Sequence, residues 1–500
     1  MPNAHKIFGP PGTGKTTYLL NVVQESLTKG IPSERIGYFS FTKKAANEAK
    51  DRAIEKFPHL NARTSFPYFR TLHSLAFQCL GTKSEDIMQA EHYREFAKQA
   101  GIELELNRDE EMNFIKPDNP ILNEVNLARI KGMDLRQHYN QCGLDIEWHH
   151  FEFVERTYRH YKQDNSLMDF TDLLELVITE SHRLPSLDVL IVDEAQDLSR
   201  LQWSLVEALS LQSKATYLAG DDDQAVFTWA GADVKSFLSF EGTITVLNKS
   251  YRIPSTVHTL ANQIVEKIRE RQPKTWEPRE FEGSVMSYHR FEDVPIDQGQ
   301  WLIMASTNYM LNPVHDWIKS LGLLFERNHV PSLTPQIATA VVNWERLRKG
   351  RSVPFDAVEN VYRYMGSEGI ARGYKTFKTG DPGNVYTLAE LQAQHGLLTD
   401  AVWHESLSKI AEDKREYLIA MLRRGTRLTD PPRIKLSTIH GAKGGEADNV
   451  MLMMDLSPKF AKQFQENGDN IQRLFYVGVT RAKQSLHLIL PKHIEKGFRL

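Results

Sequence analysis

His5-Lys-Ile-Phe-Gly-Pro-Pro-Gly-Thr-Gly-Lys-Thr-Thr17 is the stretch that decides the fold. A short strand, His5–Phe8, runs into the spacing Gly9-x-x-x-x-Gly14-Lys15-Thr16, the pattern of a phosphate-binding loop that opens a helix. Glycines let the backbone close around a polyphosphate, with its N–H groups and the helix N-terminus facing the anion. Gly9, Pro10, Pro11, Gly12, Thr13, Gly14, Lys15, Thr16 and Thr17 are therefore the candidate nucleotide-binding residues. Lys15 supplies a point charge for the outer phosphates, and Thr16 a hydroxyl for Mg²⁺.

Outward from this loop the chain runs to 500 residues, 41% hydrophobic and 25% charged, which is ordinary globular material with room for several domains. No apolar run approaches the roughly 20 residues of a membrane span, so no membrane partner is expected. Only Cys79 and Cys142 are present, which excludes a disulfide framework or a cysteine zinc site and suits a cytoplasmic protein. A net charge of −3 carries no overall nucleic-acid signature, so any such binding has to come from a local groove.

Apolar strands alternate with amphipathic helical stretches in two regions. The first holds His5–Phe8, Ile36–Phe41, Val189–Val192 and Thr216–Ala219; the second holds Trp301–Ala305, Ile434–Thr438, Asn449–Met454 and Ser485–Leu490. Such alternation predicts an α/β fold with parallel sheets and ligands at the strand C-termini. Residues from about 80 to 165 read as mostly helical, and residues 331–432 as irregular with Gly- and Pro-containing turns. The expected layout is one α/β domain over 1–79 and 166–275 with insertion 80–165, then a second over 276–330 and 433–500 with a mixed insertion, 331–432.

The second strong signal is Val189-Leu-Ile-Val-Asp-Glu-Ala-Gln-Asp197, a buried strand that delivers Asp193 and Glu194 at its C-terminal end. Downstream of a phosphate loop, the first acid suits Mg²⁺ and the second suits the attacking water. Further stretches follow in order: Phe41-Thr-Lys-Lys-Ala-Ala46, Thr71-Leu-His-Ser74, Asp169-Phe-Thr-Asp-Leu-Leu174, Gly220-Asp-Asp-Asp-Gln-Ala-Val-Phe-Thr-Trp-Ala-Gly231 and Lys249-Ser-Tyr-Arg252. Thr438-Ile-His-Gly-Ala-Lys-Gly-Gly-Glu446 and Arg473-Leu-Phe-Tyr-Val-Gly-Val-Thr-Arg-Ala-Lys483 complete the series. Together they resemble the motifs of the UvrD/Rep-type DNA helicases of superfamily 1, over residues 6–490.

The resemblance implies two RecA-like P-loop domains, each carrying an inserted subdomain, with ATP and Mg²⁺ held at the cleft between them. It implies catalytic roles for Lys15, Glu194, Gln224, Arg252 and Arg481, with Gln224 sensing the γ-phosphate and Thr16 and Asp193 on the metal. Arg252 and Arg481 are expected on or beside the second α/β unit, reaching across as arginine fingers. Tyr251 is expected to stack on the nucleotide base and Glu446 to contact its ribose. Phe227 and Trp229, two apart and so sharing one face if they lie on a strand, are expected to stack on DNA bases, with Phe41 beside them. Thr42, Lys43, His73, Thr438 and His440 are expected backbone contacts. A pair of core aromatics and a structural histidine are the plainer readings of Phe227/Trp229 and His73. The basic, aromatic run Arg372-Gly-Tyr-Lys-Thr-Phe-Lys378 reads either as a duplex contact or as a solvated hairpin.

Three departures from the family pattern stand out. The loop begins at Gly9, leaving no room for the segment whose glutamine reads adenine in relatives; Ala230 stands where arginine is common; Gly441 and Gly445 replace serine and leucine. The second insertion is also shorter than in larger relatives. The expectation is a monomeric, compact motor of phage or mobile-element type, acting in the cytoplasm (the host's, if phage-encoded). It would move 3′→5′ on single-stranded DNA and at single-strand/duplex junctions, with replication or repair proteins as partners. The alternatives are a DNA-stimulated ATPase that displaces proteins without unwinding and an ATP-gated binding or loading module; an RNA substrate is also open.

Overall fold

The computed structural model describes residues 3–57, 60–61, 64–109, 114–377 and 380–500. Two compact units result: Met1–Glu282 with Gln463–Thr480 and Leu500, and Gly283–Lys462 with Arg481–Arg499.

In the first unit a six-stranded sheet has the order Phe69–Arg70, Ile36–Phe39, Val189–Val192, Ala215–Gly220, Asn3–Phe8, Thr243–Val246, and every pairing is parallel. Successive side chains of a strand point to opposite faces, and here both faces are dry. Val189 and Ile191 join Ile7, Ile36 and Tyr38 on the face covered by helices Lys15–Thr28 and Lys43–Lys56. Leu190 and Val192 join Phe8, Phe39 and Leu218 on the other, beneath Leu72–Leu80, Phe170–Thr179 and Arg200–Leu211. This two-sided burial, ~1.5–3 kcal/mol per large apolar side chain, is why Val189–Val192 is apolar throughout.

The insertion at 80–165 has a core of its own, with Tyr93, Phe96, Leu122, Phe151, Val154 and Tyr158 drawn from helices Ala90–Ala100, Pro120–Ile130 and Trp148–Asp164. It is fastened to the sheet domain by charge. Asp169 caps helix Phe170–Thr179 and forms a capping box with Asp172. From the insertion, Arg129 reaches Asp169 (2.8 Å), Asp172 (2.5 Å) and Glu175 (2.7 Å), while Lys162 reaches Asp169 (2.7 Å) and Asp172 (2.5 Å). The Asp169-Phe-Thr-Asp stretch is thus the anchor plate of the insertion.

The second unit holds a seven-stranded sheet ordered Val330–Pro331, Phe325–Arg327, Ile434–Thr438, Trp301–Ala305, Ala447–Met453, Ala482–Ile489, Ser284–Tyr288, parallel except for its first pair. Its insertion differs from the first in sharing one core with the sheet. Trp344, Val358, Tyr362, Leu418 and Met421 cluster with Ile303, Phe325, Ile434 and Leu436. Of the run 372–378, Tyr374 is half-buried and Arg372 and Lys375 are exposed, while Lys378 lies outside the described residues. Among the described residues no helix is long and apolar enough to cross a membrane.

Candidate nucleotide site and nucleic-acid face

The parallel register of the first sheet delivers four motif-bearing strand ends to one edge in a row. Asn3–Phe8 ends at the phosphate loop, Ala215–Gly220 at Asp221–Gln224, Val189–Val192 at Asp193–Glu194 and Ile36–Phe39 at Phe41–Lys43. Neighbouring ends are tied directly: Gly9 N–H donates to Gly220 O (3.0 Å), and Asp193 N–H to Phe39 O (2.8 Å).

The loop has the space its glycines imply. Gly12 and Gly14 take φ of +74° and +81°, the left-handed region that glycine enters freely. A Cβ on Gly9 would lie 2.3 Å from Lys15 Cγ, and one on Gly12 would lie 2.4 Å from the Cβ of Arg252. Lys15 Nζ donates to Gly9 O at 2.7 Å, and Thr13 Oγ1 to Pro10 O at 2.8 Å. Thr16 Oγ1 lies 3.3 Å from Asp193 Oδ2. A hydroxyl and a carboxylate oxygen converging at the mouth of a phosphate loop form a hard-oxygen donor set that fits Mg²⁺.

Asp193 is buried, and its carboxyl is pushed up to about 6 by burial first and by the Glu194 charge second. Tyr38, fully buried, donates to Asp193 Oδ2 at 2.7 Å and opposes that rise. Glu194 sits at φ +55°, a strained conformation for a side chain-bearing residue and one concentrated at functional sites. Its Oε2 accepts from Gln196 Nε2 at 2.6 Å, and Gln196 Oε1 accepts from Asp221 N–H at 3.0 Å. Gln196 therefore bridges the two acidic turns. Gln224 is buried, with its Nε2 donating to Asp221 Oδ2 at 2.7 Å.

The segment after Lys249 corrects one expectation. Arg252 belongs to the first unit, not to the second, and packs on the phosphate loop itself. The cause is local: buried Ser250 donates to Pro11 O (2.7 Å) and Tyr251 N–H to Gly12 O (2.9 Å). Tyr251 is left 73% exposed beside the loop, open to a planar ligand.

For Phe227 and Trp229 the strand condition is not met. They lie on no strand, but at the start of and within the 3₁₀ turn Thr228–Ala230, so a spacing of two does not put them on one face. Trp229 is 61% exposed, whereas Phe227 is half-buried and stacks on Phe41, with centroids 5.6 Å apart and planes at 13°. Thr42 caps helix Lys43–Lys56 by accepting from Ala45 N–H at 3.1 Å, and His73 meets the Phe170 ring edge-on.

The second unit places its candidates at two edges of the sheet. Thr438 and His440 follow the end of Ile434–Thr438; the Thr438 hydroxyl accepts from Gly441 N–H (3.1 Å), and His440 packs on Phe460. Glu446 and Arg481 stand at the opposite edge, each directly before a strand. There Arg481 is buried and donates to Gly445 O (3.2 Å), while Glu446 pairs with Lys483 (3.7 Å). Tyr38 and Ser250 are not marked in the sequence because each acts through a partner distant in sequence, and the bridge made by Gln196 depends on Asp221, 25 residues on.

A phosphate loop between a parallel strand and a helix, with an acidic pair on a neighbouring strand end, defines a P-loop NTPase, here built as two RecA-like α/β units with insertions. The family model described as UvrD/REP helicase N-terminal domain matches residues 2–245, and that described as UvrD-like helicase C-terminal domain matches residues 399–493. The chain thus carries UvrD/PcrA-like superfamily 1 helicase domains, N-terminal and C-terminal. It is 26% identical over 314 residues to the ATP-dependent DNA helicase PcrA of Bacillus subtilis, covering 58% of this chain and 41% of that protein. Against PcrA of Staphylococcus aureus (strain Mu50) it is 24% identical over 302 residues, covering 57% and 40%. The match thus spans about two fifths of the length of these relatives.

Proposed function

We propose that the protein is an ATP-hydrolysing motor that moves on single-stranded DNA, in the 3′→5′ direction, and separates strands at duplex junctions. The observation that carries this reading is the row of strand ends in the first unit. Phosphate loop, Asp193–Glu194, Gln224 and the Phe41–Phe227 stack leave one sheet edge side by side. A change at the nucleotide has only to cross one strand spacing, ~4.8 Å, to reach the aromatic turn.

In this reading the loop amides and Lys15 bind the phosphates, and Arg252 neutralises charge from its seat against Gly12. Arg481 is proposed as a second arginine on the strength of its motif. Thr16 and Asp193 would hold Mg²⁺, which neutralises phosphate charge when bound. Glu194, poised by Gln196, orients water and takes its proton. Trp229, with Phe227, stacks on bases of any sequence. Tyr251 stacks on the nucleotide base, and Glu446 contacts the ribose.

The test is phosphate release by the purified protein with and without single-stranded DNA, wild type against Glu194→Gln. Strong DNA stimulation that the variant loses supports the motor. Turnover indifferent to DNA overturns the stacking roles. A forked duplex with a 3′ or 5′ tail then separates unwinding from protein displacement and reads the polarity.

A further inference from the structure

Gln224 ends a run of three aspartates, Asp221-Asp222-Asp223, whose side chains are at most 1% exposed. Oxygens from all three lie within 4.8 Å of one another, a spacing at which carboxylates gather a divalent cation. The ammonium of Lys274 lies among them instead, itself 1% exposed, with Nζ 3.0 Å from Asp221, 2.8 Å from Asp223 and in short contact with Asp222. An ammonium carries three hydrogens and no acceptor, so three carboxylates use its whole capacity. Burial alone would lower the Lys274 ammonium; the aspartates outweigh it and raise it, so the charge persists.

The rest of the turn is equally occupied. Arg271 grips Asp223 with two bonds (2.9 and 2.7 Å), and Gln272 N–H donates to Asp222 (2.8 Å). From helix Asp469–Val479, Arg473 donates to Asp222 O (3.0 Å), and Tyr476 OH to Asp221 Oδ2 (3.4 Å). The three acids thus face two cations, Lys274 and Arg271, while a third, Arg473, holds the backbone of the turn. Lys274 differs from the other two in where its bonds lead. It holds Asp221, and Asp221 is the acceptor for the side chain of Gln224. Its Nζ also lies 5.8 Å from the centre of the Phe8 ring, one residue before the phosphate loop.

We propose that Lys274 is a positioning residue, a built-in counter-cation that fixes the Asp221–Gln224 turn and so sets where the Gln224 amide meets a bound nucleotide. The proposal rests on the reading of Gln224 as the γ-phosphate sensor. A cation tethered to the chain cannot exchange with solvent, and by occupying the three carboxylates it keeps them from drawing off the nucleotide's Mg²⁺.

The test uses the full chain carrying Lys274→Met. Amide hydrogen exchange over 221–224 should quicken by roughly tenfold or more. Single-stranded-DNA-stimulated kcat should fall by roughly 10–100-fold, while the Kd for a fluorescent ATP analogue stays within about threefold. Adding Gln224→Ala to Lys274→Met should lower kcat by less than about twofold more, because the two act in series. Lys274→Met/Asp222→Asn removes one charge of each sign. It should melt close to wild type and still show the fast exchange and low kcat, which separates positioning from mere stability. Unchanged exchange at 221–224, full recovery of kcat in this charge-balanced variant, or losses from Lys274→Met and Gln224→Ala that multiply, would each overturn the proposal. Gln224→Ala with wild-type turnover would overturn the sensor reading instead, and with fast exchange in Lys274→Met the fixed turn would stand without it.

Discussion

Arg129→Met tests how the helical insertion is held. The guanidinium is 20% exposed and serves Asp169, Asp172 and Glu175 at 2.5–2.8 Å. Its removal leaves three carboxylates against Lys162 alone. Breaking a buried ion pair by deleting one partner costs about 3–5 kcal/mol. Glu175, 42% exposed, can turn to water, so the lower end, about 3 kcal/mol, is expected. For a unit of this size that is a fall of about 5 °C in the melting of the first unit. The pH dependence supplies a second check. Burial works against the Asp169 carboxylate, but Arg129 and then Lys162 prevail and hold it below the usual range. A folded value lowered in this way gives stability that is present above about pH 4 and lost as the pH falls further. Asp172 is pushed the other way, by burial and by Asp169, so acid relieves it. Arg129 lowers both carboxyls, so its loss raises both, and the gap between wild type and Arg129→Met must narrow as the pH is lowered from 7 toward 3. Calorimetric scans at several pH values measure it. A variant melting within about 2 °C of wild type at pH 7, or a gap that widens in acid, refutes the reasoning.

Trp229→Ala should leave DNA-independent hydrolysis intact and weaken single-stranded DNA binding by about 1–3 kcal/mol, or roughly 5–150-fold, in fluorescence anisotropy; unchanged affinity would remove Trp229 from the DNA face. His487, buried against Trp301 and Tyr288, has its imidazole lowered to about 4 by burial. Its folded value lies below its unfolded one, so stability is full above about pH 6.5 and falls by about 1–2 kcal/mol, after discounting for screening, as the pH drops toward 4. His487→Phe should flatten that part of the pH–melting profile of the second unit.

What could be read in the sequence follows from how local each signal is. Glycine spacing and four consecutive apolar residues are properties of a few neighbouring positions, so the phosphate loop and Val189–Val192 were legible. Phe69–Arg70 is too short to show a period, and Thr243–Val246, at the sheet edge, is polar and half-exposed. The spacing of Phe227 and Trp229 fits a strand and a tight turn equally well, and the turn follows from the 3₁₀ geometry of residues 228–230. Tyr38 with Asp193, Lys274 with Asp221 and Arg129 with Asp169 are partners 155, 53 and 40 residues apart, so nothing near either member marks the pair. The same holds for Arg252, whose seat on Gly12 depends on a serine hydroxyl reaching 239 residues back to Pro11.

The helix Asp469–Val479 closes the first unit although it is encoded after most of the second, Gly283–Lys462. On the ribosome, at roughly 5–20 residues per second, about 10–40 s separate the appearance of Lys274 from that of Arg473. Throughout that interval the Asp221–Asp223 turn lacks the Arg473 bond to its backbone and the Tyr476 hydroxyl. The nascent first unit therefore waits, with its phosphate loop already translated and its sensing turn unfinished, until the 199 residues from Lys274 to Arg473 have been added.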